Sequence, residues 1–338
     1  MWVVENQTPF AADRTWVRDR DGAEVWLVAV RGTFKINPDG STTPAKQQEP
    51  PVLAPQYRGE PGVSSLLYDS DFHLTKPTTD VLLHGFACAP GGKPTTQVDV
   101  TMRVGDIGKT LRVSADRIAG SLQPFVEMPL VYERAYGGRE PDPPKNPQKP
   151  QFEERNPVGT GYVSVEGKPG PNIAYPGVSL TSRPAGFGPI ASNWKPRSRY
   201  AGTYDDAWKK DRFPLYPDDL DDRFFLCSPE DQRPAEHLRG GEPVELLNLS
   251  PGGRLAFNLP RVSLGFETFF RGGDRVQHRG KIHTVIFEPG VPQVILVWRT
   301  ELPCHPKVHK LLHTRVWQKK LLNAPGPGRS ALNSTDED

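Results

Sequence analysis

The chain has 338 residues, with 42 Lys and Arg against 40 Asp and Glu, a formal net charge of +2. Hydrophobic residues make up 36% and charged residues 24%. That is enough apolar surface for one large β architecture or about two domains, and too much for a disordered chain. So even a balance of charge gives no global field to hold nucleic acid or an acidic membrane surface.

The N-terminus, MWVVENQTPFAADRTW, has no basic segment followed by an apolar run, so no signal peptide is expected. VWLVAVRGTFKINPDGS (Val25 to Ser41) partly alternates apolar and polar residues and ends in a Pro-Asp-Gly turn, the pattern of a strand. TDVLLHGFACAP (Thr79 to Pro90) is a second such run. Val98, Val100, Met102 and Val104 keep strict alternation up to Gly105-Asp106-Ile107-Gly108, beyond which KTLRVSADR returns. This predicts a hairpin.

From about Tyr136 to Gly240 short apolar fragments sit among Gly, Pro, Asn, Arg and aromatic residues. The many rings argue for an ordered region, since large aromatic surfaces are normally buried or bound. PDPPKNPQKPQFEER (Pro141 to Arg155), Pro-rich and polar, is expected to be mobile. Strand signals return after Gly240 in PVELLNLS, RLAFNLP, RVSLGFETFF, KIHTVIFEP and QVILVWRT. In CHPKVHKLLHTRVWQKKLLN, Val308, Leu311, Leu312, Val316 and Leu321 fall near helical spacing after Pro306, which predicts a short C-terminal helix. The tail after Pro325 is expected to be disordered.

Proline (37) and glycine (32) make up about a fifth of the chain, against roughly 12% in ordinary proteins. Both residues interrupt regular elements. The expected fold is therefore all-β, with antiparallel sandwich or barrel-like sheets joined by long ordered Gly/Pro-rich loops. Its sections would be an N-terminal β region (1–135), a loop-rich region (136–240), a C-terminal β region (241–302) and a helix with its tail (303–338). Residues 1–302 could form one integrated domain.

Chemistry-bearing motifs are few. Cys88, Cys227 and Cys304 are sparse and unpaired in sequence, which fits a reducing compartment. No window reaches the roughly 18 apolar residues of a membrane span. A cytoplasmic protein is expected. His305, His309 and His313 recur every four residues, so on a helix they would share one face and could meet a metal. Lys307 and Lys310 work against that, and polar residues on an exposed face are the plainer reading. Asp69, Asp71, Asp205 and Asp219 could supply the two acids of a carbohydrate hydrolase. Turn capping is the commoner use of such residues. No GxSxG, phosphate-cradling glycine loop or dinucleotide fingerprint appears. Neither an enzyme nor a cofactor is expected.

PAGFGPIASNWKPRSRYAGTYDDAW (Pro184 to Trp208) and YERAYGG (Tyr132 to Gly138) combine Arg with rings. Arg134, Tyr136, Trp194, Arg197, Tyr204, Asp205 and Trp208 are candidates for a partner-binding surface, because Tyr, Trp and Arg dominate interface hot spots. Alternatively Arg134, Arg197 and Arg199 pair internally with Asp205, Asp206 or Asp219 and stiffen the loops.

A series of motifs carries a resemblance. NQTPF, GTFKINPDG, PPVLAPQYRGEPG, SSLLYDSDFHLTKPTTDVLLHGFACAPGGKP, MPLVYERAYGG, NPVGTGY, PAGFGPI, WKPR, AGTYDDAW, FPLYPDDLDDRFF, SPEDQ and GGEPVELLNLSPGGRLAFNLP stand in order from Asn6 to about Trp298. They resemble the domain-of-unknown-function family 2169. That resemblance implies an adaptor or chaperone that binds a type VI secretion effector with a PAAR or PAAR-like domain and helps load it on the VgrG spike protein. It implies no catalytic residues. The segment after Pro303 and the Pro141 to Arg155 insert lie outside the shared motifs.

Overall fold

The computed structural model describes residues 2–118, 120–140, 151–164 and 169–319. The tail after Pro325 and most of the Pro141 to Arg155 insert (141–150) lie outside the described residues.

The strand Glu24–Ile36 is the spine of the molecule. It is buried along nearly its whole length, which explains why VWLVAVRGTF alternates only in part: both faces are covered, so apolar residues fall on both, with Arg31 and Thr33 as the buried polar exceptions. It pairs antiparallel with Gln293–Pro303 over eleven residue pairs, from Lys35 opposite Gln293 to Val25 opposite Pro303. Ala11–Arg18, Lys281–Glu288, Asp80–Leu83 and Thr42–Pro44 complete this six-stranded sheet. The pairing of Asp80–Leu83 with Lys281–Glu288 is parallel. Gly32 sits where Phe10, Phe34 and Trp298 meet. A Cβ there would stand 2.9 Å from the Trp298 ring, so the aromatic cluster requires glycine at that point.

The hairpin expected around Gly105 is present. Gln97–Val104 and Ile107–Ser114 pair with Val104 opposite Ile107. They sit inside a five-stranded sheet with Ile173–Ala174, Pro243–Leu247 and Arg254–Asn258. The inward row Val98, Val100, Met102 and Val104 is buried, as its alternation dictates. A third sheet of four strands runs Val3–Gln7, Leu311–Gln318, Leu264–Phe270, Arg275–His278. One apolar core takes Val28 and Val30 from the first sheet, Val100 and Leu111 from the second, and Phe266 and Val316 from the third. In each of these three sheets a strand from before residue 135 pairs with one from after residue 241. The sheets among the described residues stay open, and no closed barrel forms.

The C-terminal helix is corrected to a strand. A short 3₁₀ turn at Val308–Lys310 leads into Leu311–Gln318, which lies between Val3–Gln7, parallel, and Leu264–Phe270, antiparallel. Two sheet partners and the β-favouring Thr314, Val316 and Trp317 outweigh the helical spacing of the leucines. The strand's own alternation is masked because one inward residue is polar. Thr314 is fully buried, meeting the Thr268 hydroxyl at 2.7 Å and accepting the indole N–H of Trp26 at 2.8 Å.

Candidate functional site

Pro184 to Trp208 divides into a buried half and an exposed half. Ala185, Phe187, Ile190, Ala191 and Trp194 are all buried. Gly186 passes so close to Tyr132 that a Cβ would lie 2.7 Å from its ring, and the Tyr132 hydroxyl donates to the Gly188 carbonyl at 3.2 Å. Trp194 meets Tyr132 edge-on at 5.3 Å.

Buried charges pin this half from within. Arg197 is fully buried and gives Nη1 to Asp69 and to the Ile190 carbonyl, both at 2.7 Å, and Nε to the Phe224 carbonyl at 3.1 Å. Burial pushes the Asp69 carboxyl up, but His73 and Arg197 beside it outweigh burial and hold it far below the usual carboxylate range. Lys109 reaches from the hairpin strand to the Gly186 carbonyl at 2.6 Å, Gln232 at 2.7 Å and Asp231 at 2.9 Å. Burial lowers the Lys109 amine to about 8, against the pull of Asp231. Lys76 and Asp80, both buried, pair at 2.7 Å. Asp80 also accepts the Ser228 backbone N–H at 2.8 Å and its hydroxyl at 2.7 Å. Burial raises the Asp80 carboxyl, yet Lys76 and these donors bring it down to about 2.

The second half turns outward. Asp205 caps the short helix Asp206–Asp211 by accepting the Trp208 N–H at 2.8 Å. Tyr204 packs edge-on against Trp208 at 4.7 Å, and Phe213 meets the indole edge-on at 5.6 Å. The indole N–H donates to the Leu215 carbonyl at 2.9 Å. Tyr204 is 50% exposed and Phe213 67%. Tyr204, Trp208, Leu215 and Tyr216 wall a small cavity of about 170 Å³ against Arg18 and Asp19. This is a platform of rings held by an internal framework.

The seven residues singled out in sequence therefore fall into different places. Tyr204, Asp205 and Trp208 come together on the platform. Trp194 and Arg197 are interior and offer a partner no surface, since both are almost wholly buried inside the loop region. Arg134 donates to Asp116 at 3.1 Å and Tyr136 is half-buried in a short strand. The internal pairing expected for the arginines occurs with other acids: Asp69 for Arg197, Asp116 for Arg134, Glu230 for Arg199. Phe213 was missed. Its signal is a Phe directly after the charged run KKDR and directly before Pro214.

The other candidates separate too. His305 contacts the Glu24 carboxylate, His309 lies in the 3₁₀ turn, and His313 stacks on Phe269 at 4.6 Å. Without a helix the three share no face, and no group of His, Cys, Asp or Glu able to hold a metal occurs among the described residues. Asp71 pairs with buried Arg31 at 3.1 Å, and Asp219 accepts the Thr203 N–H at 2.9 Å and its hydroxyl at 2.7 Å. With Asp69 and Asp205 also engaged, these four acids form two buried pairs and two caps. Cys88, Cys227 and Cys304 are free and buried. No helix among the described residues is long and apolar enough to cross a membrane.

The fold defines an all-β protein with a stiffened, ring-bearing loop region. The chain belongs to the family DUF2169, described as an uncharacterized protein conserved in bacteria, whose model matches residues 21–299. Comparisons with curated proteins and with solved structures gave no match. The matched span holds the platform and its framework. The paired strands Val3–Gln7 and Leu311–Gln318 lie outside it.

Proposed function

We propose that this protein is an adaptor, acting in the cytoplasm, that binds and stabilises a type VI secretion effector carrying a PAAR or PAAR-like domain and helps load it onto the VgrG spike. Family membership and the ordered motif series support this reading. The observation that carries it is the platform: Tyr204 and Phe213, both exposed, pack against Trp208 on a segment fixed by Asp205 and Asp219. Exposed rings on a rigid mount offer contact area with little rotamer entropy left to lose, which is the physical profile of an interface anchor.

The test is capture of a PAAR-domain effector from the same cell by the tagged protein. Replacing Tyr204 and Phe213 together by Ala should weaken capture by about 2 kcal/mol or more, the scale of a hot spot. Deletion of the gene should also lower the effector's level. An effector that accumulates and is secreted normally without this protein would refute the adaptor role.

A further inference from the structure

A second opening has a different character. A cavity of about 920 Å³ lies where the loop around His237, the start of Leu264–Phe270, the turn entering Lys281–Glu288 and the end of Leu311–Gln318 converge. It shares no lining residue with the Tyr204 platform. Leu264, Ile282 and Trp298, all buried, form its apolar floor. Arg239, Arg261, Arg279, Lys281 and Lys319 line it as well, against one carboxylate, Glu236.

Glu236 is already engaged by Arg239 at 3.2 Å. Among the described residues no carboxylate pairs with Arg261, Arg279, Lys281 or Lys319, all of them exposed. On the neighbouring sheet, by contrast, Glu245 takes both Arg103 at 2.7 Å and Arg254 at 2.9 Å. Like charges gathered round a concavity with low-dielectric walls focus a positive field into it. The walls are set beforehand. The His237 ring is held between the carbonyls of Ile282 at 3.0 Å and Lys76 at 3.1 Å, and the Leu238 N–H by the Thr79 hydroxyl at 3.0 Å. A preformed cationic rim over an apolar floor calls for a ligand that is both anionic and apolar, and long enough to touch several sides.

We propose that this cleft binds an acidic segment of a partner polypeptide, its carboxylates meeting Arg261, Arg279, Lys281 and Lys319 while an interleaved apolar side chain seats against Leu264 and Trp298. Guanidinium forks suit carboxylates, which they grip through two parallel hydrogen bonds. A polyphosphate could use the rim but has nothing for the floor, and for a nucleic-acid strand, whose bases can stack on a ring, the chain's net charge of +2 supplies no wider field to draw it in.

The experiment measures fluorescence anisotropy of a labelled peptide of alternating Glu and Leu added to the full chain. Binding should weaken as salt is raised. An all-Glu peptide of equal length should bind about tenfold more weakly, because it leaves the floor empty. Arg261→Glu with Lys281→Glu should weaken the Glu-Leu peptide by about tenfold or more at an unchanged melting temperature, while Lys93→Glu, outside the cleft, changes nothing. Absence of binding, equal binding by the doubly reversed variant or by the all-Glu peptide, or tighter binding of inorganic polyphosphate would each overturn the assignment. Effector capture plays no part in this measurement, so its outcome and that of the adaptor test are separable.

Discussion

Pro184–Arg197 and Thr203–Leu215 are neighbouring segments, each carrying proline, rings and basic residues, yet one is built into the molecule and the other stands on it. In the first, the rings are spaced by Ala, Gly and Ile, and its one buried charge meets Asp69 and two carbonyls. In the second, Asp205, Asp206, Lys209, Lys210 and Asp211 surround the rings. Burying so many charges without partners costs more than the rings would return, so Tyr204 and Phe213 each pack edge-on against Trp208 at the surface. Composition made the two segments look alike; the spacing of charges separates them.

The sharpest break of this contrast is at Arg197. Arg197→Met would leave the buried Asp69 with His73 and the Ser70 N–H but without its guanidinium partner, and loss of one member of a buried pair costs about 3–5 kcal/mol. Denaturant unfolding of the variant should show a loss of that size, and Arg197→Met combined with Asp69→Asn should recover part of it. A near-neutral single variant would mean that the inner segment is not held by this pair. Next in size is Gly186→Ala. The added methyl would press into the Tyr132 ring, which is itself packed against Trp194, so about 1–3 kcal/mol should be lost.

Acid should probe the framework more gradually. His278 lies between the hydroxyls of Thr268 and Thr300, and burial lowers its pKa to about 4; burial with Arg58 and Arg31 lowers that of His84 to about 3. Unfolding returns both to about 6.5. The unfolded chain then binds more protons, so this stability is complete above pH 6.5 or so and is lost as pH falls toward about 4 for His278 and about 3 for His84. Asp80, held near 2, adds its own loss only below the ordinary aspartate range. His278→Gln, which keeps hydrogen-bonding groups between the two threonines, should flatten the slope of unfolding free energy between those pH values. An unchanged slope would assign the effect elsewhere.

These sites also mark what a sequence can reveal of such a fold. The hairpin of Val98 to Val104 was legible because one face is buried and the other is not, so alternation survives. The strand Leu311–Gln318 was not, since its buried Thr314 looks polar while Leu311 and Leu312 stand at helical spacing. Asp205 as a cap followed from local chemistry. Arg197 pairing with Asp69 did not: the partners are 128 positions apart, and several nearer acids were equally plausible. Local rules place caps and hairpins, whereas the pairing of a buried charge depends on which strand the chain brings alongside.

The smallest expected effect is the most informative for function. Tyr204 and Phe213 flank Trp208 but are half or more exposed, so replacing either by Ala removes little buried area. The unfolding free energy should move by no more than about 0.5 kcal/mol, as for ordinary surface changes. Trp208 differs from both: its indole N–H is committed to the Leu215 carbonyl, and Trp208→Ala should lower local stability and partner binding together. A platform built for recognition predicts that the two flanking rings matter to a partner and hardly to the fold. If Tyr204→Ala or Phe213→Ala unfolds the protein as readily as Trp208→Ala does, the three rings form a small outlying core, and the outer segment is then held by the same kind of packing as the inner one.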